Sequence, residues 1–101
     1  MSIDKTLEKL ISKLSNNNCL DTSITVYMNN ENTTNYLEFD KSDYPLWSDN
    51  YIDITLIAGT KHYDFTIRTN NIKDVLNYEN DELQDTYDII FNDNSIIGFS
   101  F

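Results

Sequence analysis

Residues 51–68 read YIDITLIAGTKHYDFTIR, and this stretch decides the fold. Ile52, Ile54 and Leu56 alternate with Asp53 and Thr55. After Ala58-Gly59-Thr60, Tyr63, Phe65 and Ile67 alternate with Asp64, Thr66 and Arg68. In an extended chain successive side chains point to opposite faces, so each run places its apolar residues on one side. A glycine between the runs supplies the backbone freedom that a tight hairpin turn demands. The stretch predicts an antiparallel hairpin with one dry face and one wet face.

Working outward, a second hairpin is expected at the C-terminal end. Tyr87, Ile89 and Phe91 alternate, Asn92 to Ser95 form a turn, and Ile97, Phe99 and Phe101 alternate again. Toward the N-terminus, Ile24, Val26 and Met28 predict a strand, residues 29–35 a polar turn, and Leu37 and Phe39 a short second strand. Residues 40–50, around Tyr44, Pro45, Leu46 and Trp47, read as a loop. Before all of these the period changes to 3.6. Ile3, Leu7, Leu10, Ile11 and Leu14 line one face of a helix over 3–15, with Lys5, Lys9 and Lys13 on another. Ser2 can cap its start, and Asn16 to Asn18 can end it. Between the hairpins, Ile72, Val75 and Leu76 are spaced for a short second helix near 71–77. The acidic residues 78–86 follow as loop or helical extension. The expectation is an α+β fold over residues 1–101 as a single domain. An N-terminal amphipathic helix packs on one face of an antiparallel sheet of about five to six strands. Thr25, Tyr27, Asp53, Thr55, Asp64, Thr66 and Arg68 stay on wet surface.

Composition narrows the function. The chain has 101 residues, 40% hydrophobic and 13% aromatic, enough for one folded core. Seventeen acids against seven Lys and Arg give a net charge of −10. Such a charge repels nucleic acids and anionic membranes, and it favours a soluble monomer with a basic protein as partner. No apolar run is long enough for a membrane span, and Asp4 and Glu8 break any signal-peptide pattern. The lone Cys19 fits a reducing cytoplasm. Frequent Asn, Ile and Lys point to an AT-rich genome, such as a low-GC bacterium or its phage.

Catalytic chemistry finds little to work with. Cys19 and His62 cannot complete a zinc site. The chain has two glycines, Gly59 and Gly98, and no phosphate loop. Asp53 and Asp64 are expected near one another across the hairpin, where like charges usually cost stability rather than perform acid–base work. No catalytic residue, metal or cofactor is expected. What remains is a one-signed C-terminal segment. After Lys73 come Asp74, Glu79, Asp81, Glu82, Asp85, Asp88 and Asp93, with Tyr78 and Tyr87 among them and no further Lys or Arg. Acids speed encounter with a basic groove, and aromatic residues anchor it. The candidate partner-binding residues are Asp74, Tyr78, Glu79, Asp81, Glu82, Asp85, Tyr87 and Asp88. Same-face residues of a strand repeat every ~6.6–6.8 Å. Two steps along a DNA strand cover ~6.8 Å, so such carboxylates can stand in for phosphates.

In size, charge, N-terminal helix, antiparallel meander and acidic C-terminal stretch, the whole chain resembles small anti-CRISPR proteins of phages and mobile elements. The resemblance implies a cytoplasmic inhibitor in a bacterial host. It would occupy the positively charged surface where a CRISPR effector nuclease binds target DNA. The alternatives are an immunity protein that neutralises a basic toxin nuclease, and a small phage structural or assembly protein that oligomerises through a sheet edge or the wet face. The C-terminal hairpin is the expected edge for that assembly.

Overall fold

At Gly59 the chain turns with φ at +66°, and the flanking runs pair from Ala58 with Lys61 to Tyr51 with Arg68. Glycine at the first central position of a two-residue turn is the signature of a type II′ hairpin, whose twist matches the strands. The expected hairpin is therefore present over its full length. The structure is a computed structural model that describes residues 5–15, 23–30, 32–43, 45–79 and 85–101. Its elements are α1 (Lys5–Ser15), β1 (Ile24–Asn29), β2 (Thr34–Phe39), β3 (Lys41–Ser42), β4 (Leu46–Trp47), β5 (Tyr51–Ala58), β6 (Lys61–Arg68), a 3-10 turn at Thr69–Asn71, β7 (Ile72–Glu79), β8 (Asp85–Phe91) and β9 (Ile96–Ser100).

The strands form two antiparallel sheets. The larger has five strands in the order β2-β1-β9-β8-β7. In the smaller, β5 carries β6 along one edge and the short β3 and β4 along the other. The chain passes from one sheet to the other at Asp40. Its N–H donates to the Ile57 carbonyl at 2.8 Å, and its carboxylate accepts the Gly59 N–H at 2.8 Å. Both sheets turn their apolar faces to one core. Ile24, Val26, Tyr87, Ile89, Ile97 and Phe99 come from the larger sheet, and Ile52, Ile54, Leu56 and Ile67 from the smaller. Helix α1 adds Leu7, Leu10, Ile11 and Leu14, the stripe its periodicity marks out. Lys9 Nζ donates to Asn77 Oδ1 at 3.4 Å, tying the helix to β7. The buried Ser42 hydroxyl donates to the Leu14 carbonyl, one of the acceptors that a helix end leaves without an intrahelical partner.

The α+β class and the helix-on-sheet arrangement match expectation. Several details do not. The stretch 71–77 is not a helix: it runs from the 3-10 turn into strand β7. A bulge between Ile72 and Asp74 lets Ile72 pair with Phe91 and Val75 with Ile89, so residues three apart face the same way. A helix produces the same spacing. The stretch 40–50 is not simply loop, since it holds β3 and β4, both paired with β5. The C-terminal hairpin is not a sheet edge. Strand β9 lies at the centre of the larger sheet, between β1 and β8. The proposed caps at Ser2 and at Asn16 to Asn18, with Cys19, lie outside the described residues.

Candidate functional site

The inner face of the larger sheet is consumed by the core, so its outer face decides what this sheet can meet. Register assigns that face directly. One row runs Tyr36, Tyr27, Gly98, Asp88 and Leu76 across the five strands. The row on one side is Glu38, Thr25, Ser100, Thr86 and Tyr78. On the other side it is Thr34, Asn29, Ile96, Ile90 and Asp74. No Lys, Arg or His stands at any of these positions, and no side chain among them is fully buried. The face is therefore open, aromatic and anionic.

Its centre is a tyrosine laid across the sheet. Gly98 carries no side chain, and the Tyr27 ring lies over it. The Tyr27 hydroxyl thereby reaches past β9 and donates to the Asp88 carboxylate on β8. Burial, in the first place, raises the Tyr27 pKa above the ordinary tyrosine value. The hydrogen bond to Asp88 and the negative charge of Asp88 add to the rise. The phenol therefore stays protonated and keeps donating. Tyr36 packs beside Tyr27 with ring centroids 6.1 Å apart, and it is 69% exposed. Tyr78 is 49% exposed on the neighbouring row.

The candidate residues named from sequence divide into distinct groups. Asp74, Tyr78 and Asp88 come together on this outer face. Tyr87 does not. It is 2% exposed, with its ring edge-on to Phe101 at 6.1 Å, so it is a core residue and presents nothing to a partner. Glu79 and Asp85 are backbone partners at the far end of β7 and β8. Asp81 and Glu82 lie outside the described residues. Tyr36, Tyr27, Glu38, Leu76, Ile90 and Ile96 join the face although the C-terminal charge pattern did not point to them. Tyr36 and Glu38 share the period of β2, but only the pairing of β1 with β9 brings them onto one face with the β8 residues.

Asp53 and Asp64 do not form a carboxylate pair. Each accepts a threonine hydroxyl across the hairpin, Asp53 from Thr66 at 2.6 Å and Asp64 from Thr55 at 2.7 Å. This spends acceptor capacity on structure and separates the two acids by one row. Among the described residues, no three His, Cys, Asp or Glu side chains converge as metal ligands, and no helix is long and apolar enough to cross a membrane. The chain matches no known family model, and neither a curated protein nor a solved structure is significantly similar to it.

Proposed function

We propose that this protein is a non-catalytic inhibitor that docks the outer face of its larger sheet onto the basic surface of a nucleic-acid-binding protein. The observation that carries this reading is the row of Tyr36, Tyr27 and Asp88 across the face, with Tyr78 on the neighbouring row, Glu38 and Asp74 at opposite corners, and no cation in the three rows. Exposed tyrosines supply contact area at low entropic cost, and arginine stacks on them readily. The carboxylates steer the encounter and pair with guanidinium groups. The Tyr27 hydroxyl holds Asp88 in place and leaves its carboxylate room for a second donor.

In its more specific form the partner is a CRISPR effector nuclease, whose DNA-binding channel is lined with Lys and Arg. The inhibitor would then act in the bacterial cytoplasm by excluding target DNA. The test is a DNA-binding competition between purified protein and a guide-loaded effector at several salt concentrations. Inhibition should weaken as salt rises, and Tyr78→Ala together with Glu38→Lys should relieve it without lowering the melting temperature. If the effector binds DNA undisturbed while another basic nuclease is inhibited, the CRISPR form falls and the broader reading stands. If no basic nucleic-acid-binding protein is retained by the wild-type face and lost by the double variant, the broader reading falls too.

A further inference from the structure

Register fixes what surrounds Asp88 on the outer face of the larger sheet. Gly98 and Leu76 are its partners across the strands, and Thr86 and Ile90 are its same-face neighbours along β8. Tyr78 pairs with Thr86, which places it diagonally from Asp88. Diagonal neighbours in an antiparallel pair are about 7–8 Å apart, within reach of an aromatic or long side chain. The Tyr27 ring covers Gly98, and its hydroxyl donates to Asp88 Oδ1. Asp88, Leu76, Ile90 and Tyr27 are all half-buried. A carboxylate partly withdrawn from water is costly unless it is paired or hydrogen-bonded. The one donor that Asp88 has here is neutral. None of the three rows supplies a cation, and Lys73, beside Asp74 in β7, donates its ammonium to Asn94 Oδ1 at 3.0 Å. A carboxylate offers about four acceptor sites, so most of this one's capacity remains.

The two side-chain cations that a partner can bring differ at such a site. An ammonium is compact and strongly hydrated, with three donors that diverge. Beside Leu76 and Ile90 it sheds water and gains one carboxylate in return. A guanidinium is weakly hydrated and planar. Its donors lie in one plane while its faces stack on aromatic rings. Here carboxylate and ring are neighbours: Asp88 supplies the acceptor, and the exposed Tyr78 supplies the ring. Tyr78 also bears electrostatically on the Tyr27 phenol, the group that holds Asp88. The remaining acids of the face are differently placed. Glu38 is exposed on the outermost strand β2, and the exposed Asp74 spends Oδ1 on the N–H of Val75 at 2.9 Å. They attract any cation and choose between none. Three acids among the fifteen positions of the rows are also too sparse for a phosphate ladder, where each DNA strand carries one charge per about 3.4 Å.

We infer that Asp88 is the specificity-determining residue of the outer face, and that it receives an arginine side chain of the cationic partner in preference to a lysine, with the guanidinium laid against Tyr78. Tyr27 is then a positioning residue, acting through the carboxylate that it holds. The inference rests on docking through the face proposed above. It adds a choice between two cations of equal charge, made at one anchored contact.

The probes are a labelled glycine–arginine peptide and a glycine–lysine peptide of the same length, charge and spacing. Binding to the full chain is read by fluorescence anisotropy and by NMR shifts of the Leu76, Asp88 and Gly98 amides. The arginine peptide should bind about fivefold to tenfold more tightly and move those three amides. Asp88→Asn keeps the shape and an acceptor for Tyr27 but removes the charge, and it should bring the two affinities within about twofold of each other. Tyr78→Ala should cut the arginine preference about threefold. Tyr27→Phe keeps the ring and the charge of Asp88 but frees the carboxylate, and it should also lower the preference. Glu38→Lys should weaken both peptides alike and leave their ratio unchanged. Equal binding of the two peptides to the wild type overturns the inference, as does a preference that survives Asp88→Asn in a variant with wild-type circular dichroism. If Asp88→Asn does not fold, a preference unchanged in both Tyr78→Ala and Tyr27→Phe overturns it instead. Equal peptide binding, with DNA competition still relieved by Tyr78→Ala and Glu38→Lys, removes this inference and leaves the proposed function. Arginine preference at Asp88 with no nucleic-acid-binding protein inhibited removes the proposed function and leaves the arginine site.

Discussion

Replacing Gly98 with alanine tests the centre of the outer face most directly. A Cβ at Gly98 would fall within the Tyr27 ring, against Cζ, Cε1 and Cε2. The backbone cannot yield, because β9 is paired on both sides. The ring must swing out instead, and the Tyr27 hydroxyl leaves Asp88. A hydrogen bond to a charged acceptor is worth about 1.5–3 kcal/mol, with the lower end apt for a half-exposed pair. Alanine in a strand recovers about 0.5–1 kcal/mol relative to glycine. The net loss is about 1–2 kcal/mol once the displaced ring contacts are counted. For a domain of this size that lowers the melting temperature by about 5–15 °C. Urea denaturation and thermal melts measure it. The same change in a Tyr27→Ala background should reverse sign, stabilising by about 0.5–1 kcal/mol, because the clash is gone and only the strand preference remains. An equal loss in both backgrounds, or none in the wild type, would refute the placement of Tyr27 over Gly98.

Three further outcomes follow from particular side chains. Tyr87→Ala should destabilise by about 3–5 kcal/mol, as for other buried aromatic truncations. Tyr78→Ala should change folding stability by less than about 0.5 kcal/mol while weakening partner binding, which denaturation and a binding titration separate. Ser42→Ala should cost about 1–3 kcal/mol in a denaturation series, because the Leu14 carbonyl loses a buried donor. Because the fold raises the Tyr27 pKa, the stability tied to its protonated form is complete below the ordinary tyrosine value of about 10. It declines as pH rises past that value, since the unfolded chain ionises first. Urea midpoints taken upward from about pH 9 should therefore fall less steeply in Tyr27→Phe.

Legibility followed the range of the interactions involved. The 51–68 hairpin was readable because its pairing closes over a two-residue turn, so alternation and one glycine specify register. The helix was readable from Leu7, Leu10, Ile11 and Leu14, whose spacing suits a single buried stripe. Residues 72–76 misled because one bulge shifts the strand by a residue and places Ile72 and Val75 on one face at helical spacing. Tyr87 misled for a different reason. Its neighbours in sequence are acidic, but alternation places it on the core side of β8 and Asp88 on the outside. Charge patterning along a strand averages over two faces that see different surroundings.

By itself the sequence determined an acidic α+β chain, one amphipathic helix, two tight hairpins and the apolar side of most strands. These follow from local periodicity and composition, which need no knowledge of distant contacts. Only the tertiary structure decided that β1 pairs with β9 at the centre of one sheet and that β5 and β6 belong to another. The same pairings bring Tyr27 to Asp88, with Tyr36 packed beside Tyr27, and leave β6 paired with β5 alone among the described strands. The physical reason is that strand order rests on contacts between residues far apart in the chain, where many pairings satisfy the same alternation and only joint burial of one core selects among them.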